Sequence, residues 1–292
     1  MLAQTTPGER APVLVVLGSW LRSLRLARQL RLLDVARPGI SPPTLHRWEL
    51  GCTPAPDLVG EVLASYGVAD EEIEWMISQI PSRSRGKRSC PVFTDWGGTC
   101  AQARFTAVQR LATDAVEFGS VLLPTSVRTR EYAAAVAAPG RTSARTPEQH
   151  RVVLVDEAVL YRPVAGPSVM YRQLSHLLTL LDSEHPHPDM RGGVRVRVVP
   201  EDAPPRPFQD AGPIVWMTAL ETGLLCRPGT APSYLAAEAQ CTDVVESLLD
   251  AARTLGREPS RAAVARAQTH QLSVLRQLPA PAVETASGGA QP

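Results

Sequence analysis

Long apolar runs are missing from this chain. No stretch approaches the roughly 18 apolar residues needed for a membrane span. The one N-terminal apolar run, Val13 to Leu17, is broken by Gly18-Ser19 and followed by Arg22. It is shorter than a signal h-region and lacks a small-residue cleavage site after it, so the expectation is a soluble, cytoplasmic protein without a membrane partner. Disulfide and metal-binding cysteine patterns are absent as well. The five cysteines, Cys52, Cys90, Cys100, Cys226 and Cys241, are odd in number and show no C-x-x-C spacing, which fits a reducing compartment. Aromatic residues make up only 5% of the chain, and the formal net charge is +1. A global basic field for nucleic acid is therefore excluded. A Gly-rich phosphate loop and a G-x-S-x-G elbow are also lacking.

What is present is an ordinary globular composition, 44% hydrophobic and 20% charged over 292 residues. That is enough for two domains with their own cores. The charge that exists is unevenly placed. Between Gly18 and Leu50 lie Arg22, Arg25, Arg28, Arg31, Arg37 and Arg47, opposed only by Asp34 and Glu49. A local excess of this kind suits either phosphate neutralisation or a solvated helix face.

Helical periodicity and punctuation predict five short helices in the first eighty residues. Leu17, Leu21, Leu24 and Ala27 recur at helical spacing within a helix over 17–30. A second helix spans 32–37 and is stopped by Pro38-Gly39. A third starts at the Ser41 cap, tolerates Pro42 and Pro43 in its first turn, and ends at Gly51. Further helices are expected from Pro56 to Tyr66 and from the Asp70 cap onward. The domain limits read as a helical unit over 12–80, a basic linker over 81–89, a larger unit over 90–278 and a disordered tail over 279–292.

In the larger unit the pattern alternates. Helices are expected over 99–117, 125–137, 167–181, 231–253 and 261–278. Apolar runs at 120–123 and 152–155 precede a strictly alternating, half-buried strand at 194–198. Residues 214–218 suggest another strand, with Leu224-Leu225 as its hairpin partner. The fold class is α+β: an N-terminal all-α five-helix helix-turn-helix domain, then a mixed α/β domain with a small sheet and C-terminal helices.

Residues 21–51 resemble the Xre/Cro-type helix-turn-helix class. The resemblance rests on Asp34-Val35-Ala36, on Gly39-Ile40-Ser41, and on Arg47-Trp48-Glu49-Leu50-Gly51. It implies that Ala36 packs at a helix crossing, Gly39 makes the turn and Ser41 caps the recognition helix. Leu45 and Trp48 anchor that helix, and Gly51 closes it. It also implies a double-stranded DNA partner read by Thr44, His46 and Arg47, with Arg22, Arg28 and Arg37 as phosphate clamps. Only Arg37 and Pro38 separate Ala36 from Gly39, one residue fewer than the class usually has. From Val121-Leu122-Leu123-Pro124 through Glu131-Tyr132-Ala133, and over Val153 to Gly166, the chain is similar to the antitoxin-like C-terminal domain of actinobacterial Xre-type regulators. That similarity implies a regulator typically encoded beside a small partner protein, and half-site pairing on an operator points to a homodimer. The alternative is a protein acting mainly by binding such a partner, with a degenerate DNA-binding motif.

Enzymatic readings are weaker. His185-Pro-His187-Pro-Asp189 has a metal-hydrolase spacing but sits in a Pro-rich loop without a fourth ligand. Asp156 and Glu157 are adjacent and point apart on a helix, so Asp156 is expected to cap it. No catalytic residue, metal or cofactor is assigned.

Overall fold

A computed structural model describes residues 10–81, 91–136, 149–164, 166–184, 193–236 and 241–277. The basic linker beyond Pro81, the His185–Asp189 loop, Cys90 and the C-terminal tail lie outside the described residues.

The protein is α+β. Five helices come first: α1 (Pro12–Ala27), α2 (Leu32–Val35), α3 (Pro42–Glu49), α4 (Pro56–Ser65) and α5 (Asp70–Ser78). They are followed by β1 (Val92–Thr94), α6 (Ala101–Leu111), β2 (Asp114–Gly119), α7 (Arg130–Ala135), β3 (His150–Asp156), α8 (Glu157–Tyr161) and α9 (Pro167–Asp182). The remainder is β4 (Val194–Val199), α10 (Pro207–Asp210), β5 (Ile214–Ala219), β6 (Thr222–Arg227), β7 (Ser233–Ala236), α11 (Thr242–Thr254) and α12 (Arg257–Gln277). No described helix is long and apolar enough to cross a membrane.

The strands form one seven-stranded sheet in the order β1-β7-β6-β5-β2-β3-β4. The pairs β2–β3 and β3–β4 are parallel and the rest antiparallel. The sheet is larger than the sequence suggests because three short strands lack a recognisable local pattern. Helix α6 stops at Leu111, and residues 114–117 instead pair with β3 and β5 as β2. Residues 233–236, expected to begin a long helix, are held as β7 between β6 and β1. In both places inter-strand pairing overrides a helical reading, since strand propensity mostly reports tertiary surroundings. The expected helix over 125–137 is a 3₁₀ turn at Thr125–Val127 followed by α7. Strand β4 is buried on both faces rather than one, as parallel strands usually are. Its Arg197 tolerates this through two bonds to Glu184, at 2.7 and 2.6 Å.

Because Glu117 stands opposite both Val153 and Val215, and Arg151 opposite Ala115, these residues share one face of the sheet. The antiparallel half of that face, with Val215, Met217, Leu224 and Tyr234, packs in one core with α1–α6. The parallel half, with Val153, Val155, Val196 and Val198, packs with α7, α8, α9 and α12. The opposite face is covered by α10 and α11 through Phe208, Val245, Leu248 and Ala251.

Helix α1 begins five residues earlier than its periodicity suggests. Every residue from Pro12 to Leu21 is buried, so the run Val13–Leu17 has no polar side to reveal a helical period. This half of α1 lies in the core that contains α6, β5, β6 and β7, while its later half carries arginines beside α3. One buried cation ties these parts together. Arg104 of α6 donates twice to Asp95, at 2.8 and 2.8 Å, once to Glu72 of α5 at 3.0 Å, and once to the Gly97 carbonyl at 2.8 Å. Its guanidinium lies between the rings of Trp20 and Trp75, 4.8 and 4.9 Å from their centroids. Burial opposes the Arg104 charge, but the bonds from Asp95 and Glu72 outweigh it and raise the pKa. The helical unit and the sheet thus share a continuous core.

Candidate nucleic-acid interface

Residues Arg37-Pro38-Gly39-Ile40 form a tight turn between α2 and α3. Arg37 and Ile40 exchange both backbone hydrogen bonds, at 3.1 and 2.9 Å. Pro38 presets its first central position, and Gly39, at φ +85°, supplies the positive angle that the second requires in a type II turn. This turn limits α2 to four residues. Ser41 then caps α3, its hydroxyl accepting from the Thr44 N–H at 3.3 Å. Gly51 closes the helix at φ +81°.

Leu45 and Trp48 of α3 face the core, 0% and 6% exposed. The sequence alone did not reveal what fixes the helix behind them. Arg25 of α1 forms a bidentate pair with Glu49, at 2.6 and 2.8 Å, and also donates to the Leu30 carbonyl. The Glu49 bond raises the Arg25 pKa despite burial. Gly18 lets α1 approach the end of α3. A Cβ at that position would lie 2.7 Å from the Trp48 carbonyl oxygen and 3.0 Å from that of Glu49. Gly18 therefore fills the role expected of Ala36. Ala36 is exposed at the C-cap of α2, because the shortened helix ends before it could reach a crossing.

Pro43, His46 and Arg47 recur at i, i+3 and i+4 and are all exposed, so α3 presents one open face. Thr44 is half-buried, with its hydroxyl 2.8 Å from that of Ser41, and so supports the cap more than the open face. Arg28 is exposed above the Tyr66 ring, and Arg22 is half-buried. Arg37 does not stand free as a clamp. Its guanidinium faces Glu61 at 4.0 Å, and Nε and Nη2 are buried. The turn directs its side chain toward α4. Arg31 is exposed but paired with Asp34 at 2.9 Å, and this bond lowers the Asp34 pKa.

A second feature lies where the two helix groups on the sheet face part. Glu117 of β2 bonds to Arg151 of β3 and accepts from Ser126 at 2.7 Å. Arg151 also donates to Gln149. Beside this buried polar strip, at the carboxyl end of β2, is a cavity of about 410 Å³ between α6, residues 121–125 and the start of β5. Crevices at strand carboxyl ends commonly hold ligands in sheets with parallel strands. The sequence does not reveal this site, because residues 114–117 read as the end of a helix and a lone Glu within Ala115-Val116-Glu117-Phe118 is its trace. Asp156 caps α8 as expected, accepting from the Ala158 N–H at 3.0 Å. Glu157 instead reaches Arg266 at 2.9 Å, so the two carboxylates do not act together.

These features define an α+β protein in which a helical unit with an outward basic helix face is built onto a sheet that borders a cavity. Residues 102–266, more than half of the chain, match the family described as a domain of unknown function, DUF5753, and the chain belongs to that family. No curated protein and no solved structure matches it.

Proposed function

We propose that this protein is a cytoplasmic, sequence-specific DNA-binding transcription regulator of the Xre type, without catalytic activity. On this reading the five-helix unit contacts double-stranded DNA and the family domain modulates that contact. The observation that carries the proposal is the division of α3. Leu45, Trp48 and Glu49 are buried and fixed to α1, while His46 and Arg47 face outward. A helix anchored along one side and open on the other suits insertion into a major groove. Arg47 can bridge O6 and N7 of a guanine, His46 can donate to a base or phosphate, and Arg28 and Arg22 flank the helix as phosphate contacts. Pairing two copies on adjacent half-sites raises affinity, so the active form is a homodimer.

The test is titration of a fluorescent duplex from upstream of the protein's own gene, over a salt series, with unrelated DNA and Arg47→Ala in parallel. Specific binding that weakens steeply with salt and loses about 1–3 kcal/mol of discrimination in Arg47→Ala supports the proposal. Binding no tighter than to unrelated DNA overturns it for that site. Failure to enrich any sequence in a genome-wide pull-down as well would leave capture of a small partner protein as the better reading.

A further inference from the structure

The cavity beside β2 has the size of a small-molecule site, and its lining indicates what it would take. Its floor and walls are mostly apolar, with Phe105 of α6, Leu123 and Pro124 of the following loop, and Val215 of β5 among them. Gly119 permits the wall to close over the strand end: a Cβ there would lie 2.5 Å from the Leu122 carbonyl oxygen. Along α6, Gln102, Thr106 and Gln109 recur at i, i+4 and i+7 and all face the cavity.

Gln109 is the informative residue. It is 4% exposed, yet among the described residues its side-chain amide has no hydrogen-bond partner; only its backbone carbonyl is used, by Gln149. The Gln109 amide atoms are not among the buried polar atoms left without a partner, so they open onto the cavity, where an occupant can replace water as their partner. The charged groups around the cavity, by contrast, are already committed. Glu117 is held by Arg151 and Ser126, and Arg128 donates to the Leu123 carbonyl at 2.7 Å and lies over Tyr132. An ion entering here would meet no free counter-charge and would lose its hydration.

We infer that this cavity binds a neutral amphiphile, an apolar body bearing one amide, carbonyl or hydroxyl group that pairs with the Gln109 amide. The inference deepens the proposed regulatory function and rests on it for one consequence. Arg104, Ala107 and Val108 of α6 share the core with α1, so an occupant pressing on α6 would reach the helix that holds α3.

The test uses the full chain, and none of its readouts involves DNA, so its failure is separate from failure of the DNA-binding reading. N-phenyl-1-naphthylamine, a neutral environment-sensitive fluorophore, is titrated and then displaced with decanamide or with ionised decanoate. The expected results are saturable enhancement below about 50 µM and displacement by decanamide at roughly tenfold lower concentration than by decanoate, the value of one good hydrogen bond. Thr106→Trp, which fills the cavity, should weaken probe binding at least about tenfold with an unchanged melting temperature. Gln109→Leu, nearly equal in volume, should retain the probe and lose the preference for decanamide. If Thr106→Trp is itself destabilised, the Gln109→Leu comparison decides. Absence of saturable enhancement, equal competition by decanoate, or an undiminished amide preference in Gln109→Leu overturns the inference.

Discussion

Gly18→Ala should damage the protein although alanine is the better helix former. Within a helix the replacement gains about 1 kcal/mol of propensity. At Gly18, however, the new Cβ would sit 2.7 Å from the Trp48 carbonyl oxygen, 3.0 Å from that of Glu49 and 3.0 Å from the Gly51 nitrogen. All three are backbone atoms, so relief requires moving α1 away from the end of α3. That movement would also stretch the Arg25–Glu49 pair. Overpacking typically costs about 1–3 kcal/mol, and an immovable neighbour puts this site at the upper end. The net loss is about 1–2 kcal/mol, a fall of roughly 2–6 °C in melting temperature for a chain of this size. Gly60 in α4 is the control. Its added Cβ meets side chains and no backbone, the flexible end of Ile77 at 2.9 Å and Ile73 Cγ2 at an ordinary 3.5 Å, so Gly60→Ala should be neutral or gain up to about 1 kcal/mol. Melting both variants beside the parent tests the contrast. A Gly18→Ala protein as stable as Gly60→Ala would refute the reasoning that backbone approach, and not helix propensity, fixes this residue.

The buried ion pairs give a second prediction. Glu49→Ala or Arg104→Ala leaves a buried charge without its partner and should cost about 3–5 kcal/mol in urea unfolding, whereas an Arg25→Met/Glu49→Leu double variant should recover most of that loss. A third concerns Tyr66, whose hydroxyl is buried without a hydrogen-bond partner. Burial first, and the Glu49 charge second, push its phenol up to about 12. A raised pKa means the fold favours the neutral phenol. Its contribution is therefore complete below about pH 10 and declines as the pH rises toward about 12, on the order of 2 kcal/mol in all. Tyr66→Phe removes a buried hydroxyl without a partner, so it should equal the parent at pH 7 or exceed it by up to about 1–3 kcal/mol, and it should lose less stability than the parent between about pH 10 and 12, as followed by circular dichroism. Parallel alkaline losses in both proteins would refute this assignment.

Local chemistry determined the turns and caps around α3 and the existence of the five helices, though not where α1 begins or α2 ends. Pro42 and Pro43 after Ser41, Gly39 after Pro38, and Gly51 after Leu50 act through backbone angles and missing donors, which depend on near neighbours alone. The outward position of Arg47 and the inward positions of Leu45 and Trp48 followed from helical spacing. The strand pair at 214–219 and 222–227 was legible for a similar reason, since a hairpin is a local structure. Tertiary structure alone decided the rest. Nothing near Gly18 in sequence indicates that α3 crosses it, and nothing near Arg104 indicates that Asp95, Glu72 and two tryptophans from separate segments surround it. The run Val13–Leu17 could not be assigned by period, because a helix buried all round has none. Strands β2 and β7 exist because β3, β5, β6 and β1 supply their hydrogen bonds, and the cavity beside Glu117 exists only once those strands have set two groups of helices apart on one face of the sheet.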